Sequence, residues 1–242
     1  MLQAIGLTKR YEDGLLALDR LDLRVAPGEC YALLGANGAG KTTTLNLFLG
    51  FLQPTAGQAL VHGIDVAQQP LEAKKHVAYL PESVTLYANL TAMQNLRFFT
   101  SLSRPEPSRD ACAALFQEVG LQESAWNRRL REFSKGMRQK VGIAVAIAKE
   151  APALLLDEPT SGLDPKAAAE LWDVLRQQRS QGRAILMNTH DIFRAREIAD
   201  KIGIMRAGKL VSEMSRREFE TANLESIYLR AMGDSVETAA VA

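Results

Sequence analysis

The sequence predicts an α/β protein built on a parallel sheet. Three observations predict it: short runs that are apolar throughout, helical patterns between those runs, and a reactive or glycine-rich residue where each run ends. The runs are CYALLG (Cys30 to Gly35), HVAYLP (His76 to Pro81), ALLL (Ala153 to Leu156) and AILMNT (Ala184 to Thr189). Their length and uniform apolarity suit strands buried on both faces. TTTLNLFLG, AAAELWDVLRQQ and FRAREIADKI supply the helical periodicity between them, and strands alternating with helices make a parallel sheet. Ligands bind such sheets beyond the carboxyl ends of the strands.

Taken in order, the first thirty residues contain LDRLDLRV, which alternates apolar and polar residues as a half-exposed strand does. A small antiparallel sheet beside the core is expected there. From about Thr85 to Glu150 no strand pattern occurs. NLTAMQNLRFFTSL, SRDACAALFQEVGL and SKGMRQKVGIAVAIAKE read as helices, and SRPEPS (Ser103 to Ser108) reads as a connector. This is expected to be a helical lobe over 85–150, inserted into an α/β core formed by 1–84 and 151–215. AILMNT is taken as the last core strand. The chain after Gly208 is read as helical and charged (SRREFETANLESIYLRAM), with the tail DSVETAAVA frayed, so that 216–242 forms a C-terminal helix and tail.

Composition narrows the function classes. The chain has 242 residues, 47% of them hydrophobic, enough for a sizeable core. A net charge of +1 provides no field that selects nucleic acid or an anionic membrane. Cys30 and Cys112 fit no metal or disulfide pattern and suit a reducing compartment. MLQAIGLTKRYEDG lacks the apolar run of a secretory signal, and no segment reaches the roughly 18 apolar residues of a membrane span. A soluble protein is expected, whose membrane role, if it has one, requires a partner.

Gly35-Ala36-Asn37-Gly38-Ala39-Gly40-Lys41-Thr42 fits the phosphate-loop pattern G-x-x-x-x-G-K-[ST], between a strand and a helix. Its glycines let backbone N–H groups turn around phosphate oxygens. Lys41 supplies positive charge to the β and γ phosphates, and the Thr42 hydroxyl is a ligand for Mg²⁺. Gly50 is placed to end the following helix. Asp157 ends a buried strand and can hold Mg²⁺, while Glu158 beside it can polarise a water as general base; an acidic start to a helix before Pro159 is the alternative. His190 could reach a γ-phosphate or be a satisfied strand-end histidine. Tyr11 could stack on a base or pack on the surface. Glu82 could touch a metal site, sense the helical lobe or be a solvated loop residue. In EFSKGMRQKV (Glu132 to Val141), Ser134 is a good helix N-cap and Gly136 permits close backbone approach, so this helix head suits an anion. Alone, the segment favours an ordinary capped amphipathic helix with Lys135, Arg138 and Lys140 on its wet face.

Together the motifs GANGAGKTT, YLPE, FSKGMRQK, LLLDEPTSGLD and NTHD, in this order, resemble the nucleotide-binding subunit of an ABC transporter over roughly residues 2–215. The resemblance implies a RecA-like phosphate-loop NTPase core with an antiparallel β-subdomain and an inserted helical subdomain. It implies two copies, head to tail, sandwiching two ATP molecules with Mg²⁺. Ser134, Lys135 and Gly136 of one copy would then face the γ-phosphate held by Lys41 of the other. By the same resemblance Tyr11 stacks on adenine and Thr43 lies with the phosphate-binding residues. Glu158 is the catalytic base, His190 the γ-phosphate switch, and Asp164 lies at the subunit seam. Glu82 stands where the family commonly has glutamine, which puts a third potential ligand beside Thr42 and Asp157. In the signature, commonly LSGGQ, Phe133, Lys135 and Met137 are departures. YLPE with SKGM resembles the branch whose ATPases serve separate membrane permeases, often exporters of the ABC-2 type. The implied location is the cytoplasmic face of the membrane, held there by permease subunits. A non-transport ABC ATPase acting on nucleic acid or ribosomes is the rival reading. The single ATP domain, the short lobe and the near-neutral charge all speak against it, so no nucleic-acid partner is expected.

Overall fold

A computed structural model describes residues 1–233. In chain order the elements are β1 (Leu2–Arg10), β2 (Leu16–Val25), β3 (Cys30–Leu34), α1 (Lys41–Phe48), β4 (Ala56–Val61), β5 (Ile64–Asp65), α2 (Pro70–Lys75), β6 (Val77–Leu80), α3 (Ala92–Ser101), α4 (Arg109–Glu118), α5 (Lys135–Ala148), β7 (Ala153–Asp157), α6 (Pro165–Ser180), β8 (Ala184–Thr189), α7 (Ile192–Ile198), β9 (Lys201–Arg206), β10 (Lys209–Ser215), α8 (Arg216–Thr221) and α9 (Leu224–Met232). Two sheets result. One has the order β10-β9-β3-β8-β7-β6, the other β2-β1-β4-β5.

In the six-stranded sheet β9, β3, β8, β7 and β6 are mutually parallel, and β10 returns antiparallel to β9. All five residues of β3 and all six of β8 are buried, which is why their sequences are apolar without alternation. The alternation appears in which side each residue serves. Cys30, Ala32 and Leu34 pack with α5, α6 and the helical lobe, while Tyr31 and Leu33 pack with α1 and the antiparallel sheet. One parallel sheet therefore closes two cores. The antiparallel sheet needs no core of its own because β1 and β2 put Leu2, Leu7, Leu18, Leu21 and Val25 against Tyr31 and Leu33.

The lobe is held by Leu96, Cys112, Phe116, Trp126 and Leu130, all buried. Phe116 and Trp126 lie 5.7 Å apart between ring centroids, and the Trp126 indole N–H donates to Leu121 O at 2.9 Å. The first lobe helix is shorter than its sequence suggested. It starts at Ala92, where Thr91 and Gln94 form a capping box, and Asn89–Leu90 lie in the preceding turn.

Two expectations are corrected near the C-terminus. FRAREIADKI is helical only to Ile198. Lys201 and Ile202 already belong to β9, which pairs in parallel with β3, so β8 is not the last core strand. The helical periodicity of that stretch yields to burial of Ile202 and Ile204 in the sheet. After Gly208 the chain first forms β10, and two helices follow rather than one. The tail DSVETAAVA lies outside the described residues. Gly50 does close α1: its N–H donates to Leu47 O, and the Phe51 N–H donates to Asn46 O.

Candidate functional site

The carboxyl ends of β3, β7 and β8 lie side by side, with Leu34 opposite Thr189 and Asp157 opposite Asn188. The phosphate loop, Asp157–Glu158 and His190 are therefore neighbours although they are far apart in the chain. Gly40, at φ +107°, turns the loop into α1. A side chain there would meet Ala17 O at 2.6 Å and Leu18 at 2.8 Å, so no other residue fits. Ala36, Asn37 and Gly38 stand exposed at the rim, while Gly35, Ala39, Gly40 and Lys41 are buried. The first amides of α1, with no intrahelical acceptor, open toward the same space.

Lys41 Nζ donates to Gly35 O at 2.6 Å and Ala36 O at 3.2 Å. Burial lowers its pKa, an effect the charges of Glu158 and Asp157 oppose. Asp157 Oδ2 accepts from Thr42 Oγ1 at 3.5 Å and Oδ1 from Asn188 Nδ2 at 3.2 Å. Burial raises the Asp157 pKa; the two hydrogen bonds and Lys41 act against burial, and the charge of Glu82 adds to it. A carboxylate in this environment favours a nearby cation. Among the described residues no group of three or more His, Cys, Asp or Glu side chains could hold a metal ion. A hydroxyl and one carboxylate, completed by phosphate oxygens and water, is nevertheless a donor set that Mg²⁺ takes, so Thr42 and Asp157 fit that ion.

Glu158 has φ +45°, a left-handed conformation that costs a non-glycine residue free energy. It is fixed from two sides. Its N–H donates to Asn188 O at 3.0 Å, and its Oε1 accepts from His190 Nδ1 at 2.8 Å. The Glu158 side chain is 14% exposed and that of His190 64%. Among the described residues Glu158 Oε2 has no hydrogen-bond partner, which leaves it for a water. Tyr11 OH lies 3.4 Å from Thr43 Oγ1 on α1, and Lys9 Nζ sits 5.4 Å from its ring centroid. Tyr11 thus borders the loop, where an aromatic face could meet a base.

The other predicted residues gather elsewhere. Ser134 caps α5 by accepting the Met137 N–H at 3.2 Å. Gly136 packs on Ala167 and Leu163, and Asp164 caps α6 by accepting the Ala167 N–H at 2.9 Å. Ser134, Gly136, Asp164 and Lys166 line one open depression that includes no phosphate-loop residue. Lys135 is exposed, and its side chain lies over Gly162. Glu82, just beyond β6, accepts from Ser161 Oγ at 3.2 Å. Lys140, expected on a wet face, reaches Glu170 at 2.6 Å and Gly120 O at 2.8 Å.

Several contributors escaped the sequence reading. Asn188 orders Asp157 and Glu158; the one signal for it is a polar residue in the otherwise apolar AILM run. Gln139 and Arg194 hold the turn after Glu158, and nothing in the linear pattern distinguishes them from ordinary helix residues.

Residues 18–161 match the family model described as ABC transporter. The chain is 32% identical over 240 residues to the Nod factor export ATP-binding protein I of Cupriavidus metallidurans, covering 98% of this chain and 78% of that protein. It is 36% identical over 214 residues to a probable multidrug ABC transporter ATP-binding protein of Escherichia coli, covering 88% of this chain but only 36% of that longer protein. Among solved structures, an ATP-binding subunit of an ABC transporter superposes with a TM-score of 0.84 at 31% identity, over 96% of this chain and 99% of that one. A dimeric ATP-binding cassette in a post-hydrolysis state, bound to ADP and Pi, gives 0.82 at 25% identity, over 90% of this chain and all of the other.

Proposed function

Because the chain belongs to the ABC transporter family, as one of its ATP-binding subunits, we propose that two copies clasp two ATP molecules and that hydrolysis drives a partner membrane permease, which works as an exporter. The observation that carries this reading is the separation of two anion-binding groups within one chain. Lys41, Thr42, Asp157, Glu158 and His190 form one cluster, and Ser134 and Gly136 face another opening. A head-to-tail pair brings the second group of one copy to the first group of the other.

In this mechanism the ATP phosphates rest on the first amides of α1, and Lys41 turns from Gly35 O and Ala36 O to the β and γ phosphates. Thr42 and Asp157 would hold Mg²⁺, with the Glu82 charge nearby; the ion would supply positive charge to the phosphate oxygens. Tyr11 stacks on adenine. His190 holds Glu158 Oε1, and Glu158 Oε2 takes the proton of the attacking water. Ser134 and the Gly136 N–H of the partner copy close on the γ-phosphate. Asp164, besides capping its helix, meets the partner across the seam.

An apolar surface groove supports coupling to a permease. Between core and lobe runs a groove lined by Phe51, Tyr79, Phe99, Leu102 and Val145, in which Phe51 and Leu102 are 60% and 67% exposed. A helix of the permease is its occupant in this reading. No helix among the described residues is long and apolar enough to cross a membrane. Attachment to the cytoplasmic face through that permease is part of the same proposal.

The test is Ser134→Arg. ATP binding by the isolated chain should match the parent, and turnover should fall by about two orders of magnitude or more, as for loss of a donor to a transition-state oxygen. Loss of ATP binding by the monomer would show that Ser134 serves its own nucleotide and would defeat the paired site.

A further inference from the structure

The turn that follows Glu158 is held from outside, one residue after another, by separate parts of the molecule. Gln139 on α5 donates to Pro159 O at 2.9 Å, and Arg194 on α7 donates to Thr160 O at 2.7 Å. The Ser161 hydroxyl donates to Glu82 Oε1 at 3.2 Å. At Gly162, φ +65°, the Lys135 side chain crosses the backbone so closely that a Cβ would lie 2.8 Å from Nζ and 3.4 Å from Cδ. Within the turn only the Ser161 N–H to Glu158 O and the Leu163 N–H to Thr160 O close back. Two such short-range bonds fix the local bend but not where the turn stands.

We propose that Glu82 and Lys135 are positioning residues that grip the Ser161–Gly162 turn from either side, and that this grip sets the orientation of the Glu158 carboxylate. Both are ionisable side chains on exposed segments, whereas Gln139 is buried and Arg194 partly so. The two inner contacts anchor the turn, and the two outer ones are the adjustable ones. Glu82 follows β6 at the junction with the lobe, and Lys135 opens the helix whose head meets the partner nucleotide in the proposed function, on which this inference rests. Movement of either segment reaches Glu158 through a short stretch of backbone. Glu158 is already strained at φ +45°, so a released turn lets it relax away from the productive orientation.

The experiment measures hydrogen exchange of residues 158–164 in the chain free of nucleotide and Mg²⁺, and separately kcat and KM for ATP. The variants are Glu82→Ala, Glu82→Gln, Lys135→Ala and Lys135→Arg. Each alanine variant should exchange the turn amides faster and lower kcat, by about tenfold each, with KM changed less than about twofold. Glu82→Gln keeps an acceptor oxygen and Lys135→Arg keeps a cation on a long stem, so both should return exchange of the turn amides to the parental rate. Omitting nucleotide and Mg²⁺ from the exchange measurement separates the grip from any metal role of Glu82. Unchanged turn exchange in both alanine variants, or a raised KM with kcat intact, overturns the inference even if the parent hydrolyses ATP. A parent chain without ATPase activity defeats the proposed function instead, and the exchange comparison still decides the grip.

Discussion

Replacing Glu158 with glutamine removes one proton acceptor and changes almost nothing else. The side chain keeps its size, and its amide oxygen retains an acceptor for the His190 Nδ1–H now 2.8 Å away. The backbone N–H bond to Asn188 O is independent of the side chain, as are the turn contacts at Pro159 and Thr160. The phosphate-loop amides and Lys41 are untouched, so ATP affinity should be that of the parent. The lost effect is general-base catalysis, which contributes roughly 10²–10⁴-fold in rate, about 2.7–5.4 kcal/mol of barrier at about 1.36 kcal/mol per factor of ten. Phosphate release with saturating ATP and Mg²⁺ should fall by that factor. Size-exclusion chromatography with ATP should then show a dimer that the parent populates only briefly, because the clasped state no longer exits through hydrolysis. A Glu158→Gln chain that turns over at more than a tenth of the parental rate refutes the assignment of Glu158 as base. A chain that hydrolyses nothing yet stays monomeric with ATP refutes the link between unhydrolysed nucleotide and pairing.

Two further outcomes follow from the surroundings of the site. Gln139→Leu keeps the bulk of a residue that is 3% exposed and leaves Pro159 O without its donor. The expected loss is about 1–3 kcal/mol for a buried unpaired carbonyl, a Tm lower by roughly 2–12 °C for a chain of this size, checked by thermal unfolding. Asp157→Asn should abolish Mg²⁺-dependent hydrolysis and raise the Tm of the nucleotide-free chain at neutral pH. The sign follows from linkage: burial raises the folded-state pKa of Asp157, so ionisation costs stability increasingly as pH climbs from the unfolded-state value through the folded one, and at neutral pH the full cost is present. The gain should vanish at a pH below the ordinary carboxylate range. A stabilisation independent of pH would refute this account.

The linear order of residues by itself singled out the candidate nucleotide site. The G-x-x-x-x-G-K-[ST] pattern is local, so Gly35 to Thr42 could be read as a candidate phosphate loop without the fold. Asp157 and Glu158 were legible because they end an apolar run, and strand ends are where such sheets bind ligands. Ser134 was legible as a helix cap for the same local reason. Sequence also fixed the parallel core, since strands buried on both faces leave uniform apolar runs. Tertiary structure alone decided the rest. Whether Lys201–Arg206 continued a helix or joined β3 depended on a sheet edge supplied by residues far away in the chain. Which oxygen of Glu158 is held, and that Lys135 lies on Gly162 and Glu82 on Ser161, are contacts across long stretches of chain that leave no periodicity to read. Local patterns report what a segment can bind; only packing sets which distant side chain stands beside it.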